Sequence, residues 1–410
     1  MQGHYGCYSL SRRLLLGLLG TAVSTALGCG FQGNHRNPKT LSIGLIAPMS
    51  GKSAIVGVST QQGAQLAAQE INQAGGITIG RQQYELALIV EDNQDNVDEA
   101  VNVARKLIFQ DDVLAIVGPQ LSRNAIPVAK FVETYQVLMI SPRSTNPATT
   151  AGNRYVFRCT FTDPFQGHIM TEFARSNLKA QQAAVLFDVA SAYNRDIAQV
   201  FKQVFEQAGG RVVAFEAYTT GAQDYREQIA AIQKADPEVL FLPNYDHELP
   251  QQIQQIRAAG VDAMLLGSDS WGVKLNLDAA LMEGAFYSDL YAPDSDSRKT
   301  RRFISAYKAA YGSAPNAYAA ATYDTLYLLK QTLMAANRLE PEAMRSSLAN
   351  LGPFEGVTGK FNFQGSGDPI RSVVILQLRE GKPVFFDQIS PTAPLDLTPK
   401  SLLRLTAPNV

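Results

Sequence analysis

"AIVGPQLSRNAIPVAKFVETYQVLMISPRSTNP", residues 115–147, holds one full period of the pattern that decides the fold. The apolar run through Ala115, Ile116 and Val117 stops at Gly118-Pro119. Gln120, Ser122, Arg123 and Asn124 follow. Ala125, Val128, Ala129 and Val132 then recur at helical spacing, which predicts a helix over 122–135. A second apolar run, 137–140, gives way within two residues to Ser141, Pro142, Arg143, Ser144, Thr145 and Asn146. Strand, helix and strand in this order predict a parallel, doubly wound α/β sheet. In such sheets ligands bind beyond the carboxyl ends of the strands, near helix N-termini with unpaired N–H groups. The polar runs after each strand are therefore where a site is expected.

The same period extends both ways. Upstream, "LSIGLIAP" (41–48) and "YELALIVEDN" (84–93) read as strands, with helices over 58–74 and 95–110. Gly75-Gly76 is the stop signal of the first helix, and "AGGITIG" (74–80) reads as a loop. Downstream the alternation restarts as a second α/β unit. Strands at 155–160, 183–189, 211–218, 239–244 and 263–269 are interleaved with helices at 163–177, 195–208, 224–234 and 248–259. After "AFYSDLY" come three helical stretches near 298–311, 316–336 and 341–350. A strand pair over 372–386 turns at Glu380-Gly381, and a Pro-rich strap begins at Ser390.

Bulk composition narrows the function. The 410 residues are 46% hydrophobic and 18% charged, which suits one large or two ordinary globular domains. With 36 basic and 37 acidic residues the net charge is −1, so no cationic surface for nucleic acid is expected. "SRRLLLGLLGTAVSTALGC" places a basic pair, Arg12 and Arg13, before an apolar core and small residues, the layout of a secretory signal over 1–28. "ALGC" at 26–29 resembles the lipobox of bacterial lipoproteins, which implies lipidation of Cys29, with 29–40 as a polar tether. "SRRLLLG" fits a twin-arginine signal or an ordinary charged n-region. Cys7 lies in the signal, so Cys159 is the lone interior cysteine and is expected to pack as a small hydrophobe.

The segments "IGLIAPMSGKSAIVGVSTQQGAQLAAQEINQAGGI" (43–77), "AIVGPQLSRNAIPVA", "LMISPRSTNP" and the Tyr-Asp of "AATYDTLYLL" (320–329) resemble the branched-chain amino-acid binding proteins of ABC importers. The resemblance covers roughly 41–385 and implies the type I periplasmic-binding-protein fold. That fold is two doubly wound α/β domains joined by a hinge. The implied domains are 41–158 with 290–362, and 159–289 with 363–389, followed by a tail over 390–410. The implied partners are an amino-acid ligand and an ABC-transporter permease. The chain would be a monomer that meets the membrane only through its lipid, and no cofactor or metal is implied. Carried over by residue, Ser122 and Thr145 would donate hydroxyls to the α-carboxylate and Ser144 would help through its backbone. Asp269 would face the α-ammonium, while Tyr193 and Tyr245 would close over the ligand.

Each residue also has a plainer reading. Ser122 could N-cap its helix. Ser144 and Thr145 could be turn formers beside Pro147, Asp269 a turn residue, and Tyr193 and Tyr245 rim packing. Trp271 either lines the pocket or packs in a core. Two positions depart from the family: Arg143 stands where a small residue is usual, and Val56 where an aromatic one is common. Arg143 could pair with an acidic ligand side chain, bond the α-carboxylate or lie in solvent. Branched-chain selectivity is in doubt on both counts.

An enzyme is the first rival, but no G-x-S-x-G, P-loop or H-E-x-x-H is present. His4 and His35 lie in the signal and tether, and His168 and His247 would need carboxylate partners to hold a metal. A ligand-sensing or regulatory lipoprotein of the same fold, or a binder of urea or short amides, is the second rival.

Overall fold

The structure, a computed structural model, describes residues 39–273 and 277–391. The expected signal, the tether as far as Pro38, Cys29 and the tail from Thr392 lie outside the described residues. The first strand, β1 (Lys39–Ala47), already begins inside the stretch read as a tether.

From there the chain runs α1 (Ala54–Gln73), β2 (Ile77–Ile79), β3 (Gln82–Asp92), α2 (Val97–Phe109), β4 (Ala115–Val117), α3 (Ser122–Thr134), β5 (Leu138–Ser141) and β6 (Val156–Arg158). These strands form one six-stranded sheet in the order β2-β3-β1-β4-β5-β6. All neighbours are parallel except β2, which pairs antiparallel with β3. Ile43 lies between Leu88 and Ala115, and Leu138 pairs with Ala115. β4, β5 and β6 are wholly buried, which is why they read as apolar runs, broken only by Ser141 at the end of β5 and Arg158 at the end of β6. The hairpin of β2 and β3 replaces the expected loop over 74–80. A three-residue strand is too short to show an alternation.

The second series is α4 (Asp163–Ser176), β7 (Gln182–Asp188), α5 (Ala192–Gln207), β8 (Arg211–Tyr218), α6 (Arg226–Ala235), β9 (Val239–Leu242), α7 (Leu249–Ala258), β10 (Met264–Gly267) and β11 (Phe286–Asp289). It continues through α8 (Arg298–Tyr311), α9 (Ala317–Ala336), α10 (Pro341–Ala349), β12 (Phe354–Gly356), β13 (Gly359–Phe363), β14 (Pro369–Arg371), β15 (Val373–Arg379) and β16 (Lys382–Ile389). A seven-stranded sheet has the order β16-β15-β11-β10-β9-β7-β8, parallel from β11 to β8. β15 and β16 join antiparallel, and Glu380 and Gly381 turn between them with φ of +52° and +70°, the signature of a two-residue hairpin.

Helix α9 returns to the first sheet and crosses α1 at Gly63. A Cβ there would stand 2.2 Å from the Ala319 carbonyl oxygen, so only glycine permits the approach. A small third sheet, β12-β13-β14, was not legible in the sequence. Asp324 of the Tyr-Asp pair anchors it, accepting from Val357 N and Thr358 N at 2.8 Å each and from Thr358 Oγ1 at 2.6 Å. Asp324 is therefore a structural tie.

The chain passes between the two large sheets after Arg158, after Asp289 and after Arg371. The buried guanidinium of Arg371 gathers these passages. It donates to the carbonyls of Cys159, of Leu290 (3.3 Å) and of Thr358 (2.7 Å). Cys159 itself is buried, accepts from Thr325 Oγ1 at 3.2 Å, and has its thiol pushed up to about 12 by burial. That is the chemistry of a packed thiol and the opposite of a reactive one.

A candidate ligand site between two sets of strand ends

The carboxyl ends of β5, β10 and β11 bring Arg143, Asp269 and Asp289 together. Beside them, α3 opens with Ser122. Arg143, Asp269 and Ser122, together with Gln120, Thr145, Tyr193, Tyr245, Ser270 and Tyr318, line a narrow space of about 10 Å³. Asp289 is outside the lining and is joined to it through Arg143.

The hydroxyl end is built by the loop after β5. Ser144 Oγ donates to Ser122 Oγ at 3.0 Å, and the Asn146 amide donates to the same oxygen at 3.3 Å. Both acceptor positions of Ser122 are then in use, and its own proton is left to donate into the space. The structure does not bear out the capping alternative: Leu121 holds the N-cap position of α3, and no side chain caps it. Ser144 departs from its expected role. Its amide donates to Ser141 Oγ at 3.1 Å, so that N–H is already satisfied and the residue serves by orienting Ser122. Thr145 lines the space directly.

Arg158 holds this loop in place. It is fully buried, with Nη1 on Ser144 O at 2.7 Å and Nη2 on Asn146 O at 2.9 Å and Thr150 Oγ1 at 2.7 Å. Its Nε reaches Asp368 at 2.6 Å. The sequence signal is a charged residue inside the apolar run "YVFRCTF" (155–161).

The acidic end lies on the second sheet. Asp269 Oδ1 accepts from Gln166 Nε2 at 3.1 Å and from the Tyr193 hydroxyl at 2.7 Å. Arg143 Nη2 lies 3.2 Å from Asp269 Oδ2 and 2.5 Å from its carbonyl oxygen, while Nη1 reaches Asp289 Oδ1 at 2.8 Å. Arg143 is thus buried, which removes the solvent alternative. Both terminal nitrogens are held by protein carboxylates, which leaves them little reach toward an acidic ligand side chain. Burial works against its charge, but the two neighbouring carboxylates outweigh burial and hold the guanidinium firmly protonated. Burial pushes the Asp289 carboxyl up to about 6, with Arg143 pulling the other way. Burial also raises Asp163, just beyond Thr145, well above the usual carboxylate range.

The two tyrosines stack on each other, with ring centroids 5.0 Å apart, and Arg123 lies 4.4 Å over the ring of Tyr245. Val56 is buried in one apolar cluster with Leu121, Tyr193, Tyr245, Val273 and Tyr318 and stands outside the lining. Trp271 is a core residue: its Nε1 donates to Leu242 O at 3.1 Å, and it packs in the second sheet's cluster. Three buried atoms of the lining have no hydrogen-bond partner among the described residues: Gln120 Oε1, Arg143 Nε and the Tyr245 hydroxyl. Unsatisfied polar atoms converging on one space are what a polar ligand would engage. Gln120, Ser270, Tyr318, Gln166 and Asp289 escaped the sequence reading. Asp289 was the most findable, since it ends the strand "FYSD".

The sequence profile described as "Periplasmic binding protein" matches residues 40–383. The chain belongs to the periplasmic binding protein family. It is therefore a binding protein and not an enzyme. Among relatives of this periplasmic binding protein is the leucine-, isoleucine-, valine-, threonine- and alanine-binding protein of Pseudomonas aeruginosa, 28% identical over 83% of this chain and 90% of the relative. Two solved structures share the fold at 29% identity. One is the leucine binding protein LivK of Thermotoga maritima, covering 86% of this chain and 99% of that one with a TM-score of 0.79. The other is the branched-chain amino acid transporter substrate binding protein LivJ of Streptococcus pneumoniae in complex with isoleucine, covering 86% and 100% with a TM-score of 0.80. Among the described residues no helix is long and apolar enough to cross a membrane.

Proposed function

We propose that this periplasmic binding protein captures one amino acid between its two large sheets and delivers it to the membrane permease of an ABC importer. The observation that carries the reading is the opposition of two ends within one space. The hydroxyls of Ser122 and Thr145 come to this space from a helix start and a strand end of the six-stranded sheet, and the carboxylate of Asp269 comes from a strand end of the seven-stranded sheet. A zwitterion needs that separation of donors and acceptor. Hydrogen bonds to charged groups contribute about 1.5–3 kcal/mol each, and micromolar affinity needs only about −8 kcal/mol after the cost of association. Closure of two lobes about the three passages near Arg371 would exclude water from those bonds. The lobes we propose are the six-stranded sheet with α8, α9 and the small sheet, and the seven-stranded sheet with its helices. The ligands named for the relatives support an amino acid. The lipobox-like "ALGC" supports anchoring of an exported chain through Cys29.

Ser122→Ala tests the carboxylate end. Every amino acid presents the same carboxylate, so affinity is expected to fall by about 10–100-fold for all of them alike, the equivalent of about 1.5–3 kcal/mol. Titration calorimetry reads this directly. Unchanged dissociation constants would remove Ser122 from the site.

A further inference from the structure

We infer that Arg143 and Asp289 form a charge-neutral plug across the site that restricts the ligand to amino acids with short side chains, of the size of glycine, alanine and serine. This inference rests on the amino-acid reading above and goes beyond it, since the relatives named above all carry branched-chain amino acids in their names or titles, one of them beside threonine and alanine.

The guanidinium leaves the end of β5 and is fixed on three sides. Asp289 takes Nη1 at 2.8 Å, the Asp269 carbonyl takes Nη2 at 2.5 Å, and the ring of Tyr318 lies 4.5 Å from the guanidinium carbon. The side chains of Arg143 and Asp289 are each 1% exposed. A planar group held in this way does not swing aside as a flexible lysine would.

Two carboxylates, Asp289 at 2.8 Å and Asp269 at 3.2 Å, face the one guanidinium. The Arg143–Asp289 pair adds volume without net charge, and the second carboxylate, Asp269, is left to answer an ammonium. Its Oδ1 already accepts two bonds, but among the described residues its Oδ2 accepts only Arg143 Nη2, which leaves that oxygen an acceptor position. The ammonium end is preserved while the room beyond it is filled.

What remains is about 10 Å³, room for about one water molecule. Admitting any zwitterion requires the lobes to part. Each further methylene would have to push against close-packed tyrosines and a pinned guanidinium. The free hydrogen-bonding atoms at Gln120 Oε1 and the Tyr245 hydroxyl also favour a short polar side chain over a branched apolar one.

Removing Arg143 alone would leave Asp289 buried and unpaired. The test is therefore the double variant Arg143→Ala with Asp289→Asn beside the unaltered protein, titrated calorimetrically with glycine, alanine, serine, leucine and isoleucine. The unaltered protein is expected to bind alanine or serine at least tenfold more tightly than leucine or isoleucine. The double variant is expected to shift that ratio at least tenfold toward leucine. Leucine binding as tightly as alanine in the unaltered protein would overturn the plug without any variant. An unchanged ratio in a double variant that still melts cooperatively would also overturn it. Absence of heat with every amino acid would instead overturn the underlying amino-acid reading, and the plug with it.

Discussion

Asp269→Ala is expected to weaken the binding of every amino acid by more than a hundredfold. An ammonium buried in the closed site loses the one carboxylate that lines the space among the described residues, and breaking a buried charge pair from one side costs about 3–5 kcal/mol. The Asp289 carboxylate does not substitute, because it pairs with Arg143 and stands outside the lining of the space. The ligand-free protein should also lose stability, since Asp269 ties together Gln166, Tyr193 and Arg143. Asp269→Asn separates the two effects: an amide keeps an acceptor for Tyr193 and removes only the charge. Both variants are expected to lose affinity in titration calorimetry, with the asparagine variant closer to the unaltered protein in ligand-free melting. A dissociation constant unchanged in either would make Asp269 a turn residue.

Arg158→Met should have the largest effect on stability. The buried carbonyls of Ser144 and Asn146 would lose their donors, each at about 1–3 kcal/mol, so the loss is about 2–6 kcal/mol. The Asp368 contact adds little, because that carboxylate is 41% exposed. Urea unfolding should show a lower midpoint. Affinity should fall as well, since the loop carrying Ser144 and Thr145 is released. A midpoint within error of the unaltered protein would mean that the loop is held by its turns alone.

Most strands and helices were legible within a few residues because parallel strands covered on both faces must be apolar throughout. Polar residues can follow only where a strand emerges. β5 is the clearest case: Leu138 to Ile140 are buried core, and the polar run begins as the strand ends. The same logic located the polar runs at the strand ends, and the family resemblance picked Ser122, Thr145, Asp269, Tyr193 and Tyr245 out of them, all of which line one space. Where reading failed, the signal was short or distant. β12 and β14 have three residues each, too few for a period. The amide of Ser144 is taken by Ser141, three residues away, which no residue type announces. Arg143 lies 126 and 146 positions from its two acidic partners, so its pairing could come only from the fold.

The central claim is reversible capture of an amino acid, and titration calorimetry of the unaltered protein against the common amino acids, urea, short amides and sugars tests it most directly. The predicted result is saturable heat with at least one amino acid, one ligand per chain, at micromolar affinity or tighter, with the ligand recovered unchanged. Saturable heat with urea or a sugar and none with any amino acid would contradict it.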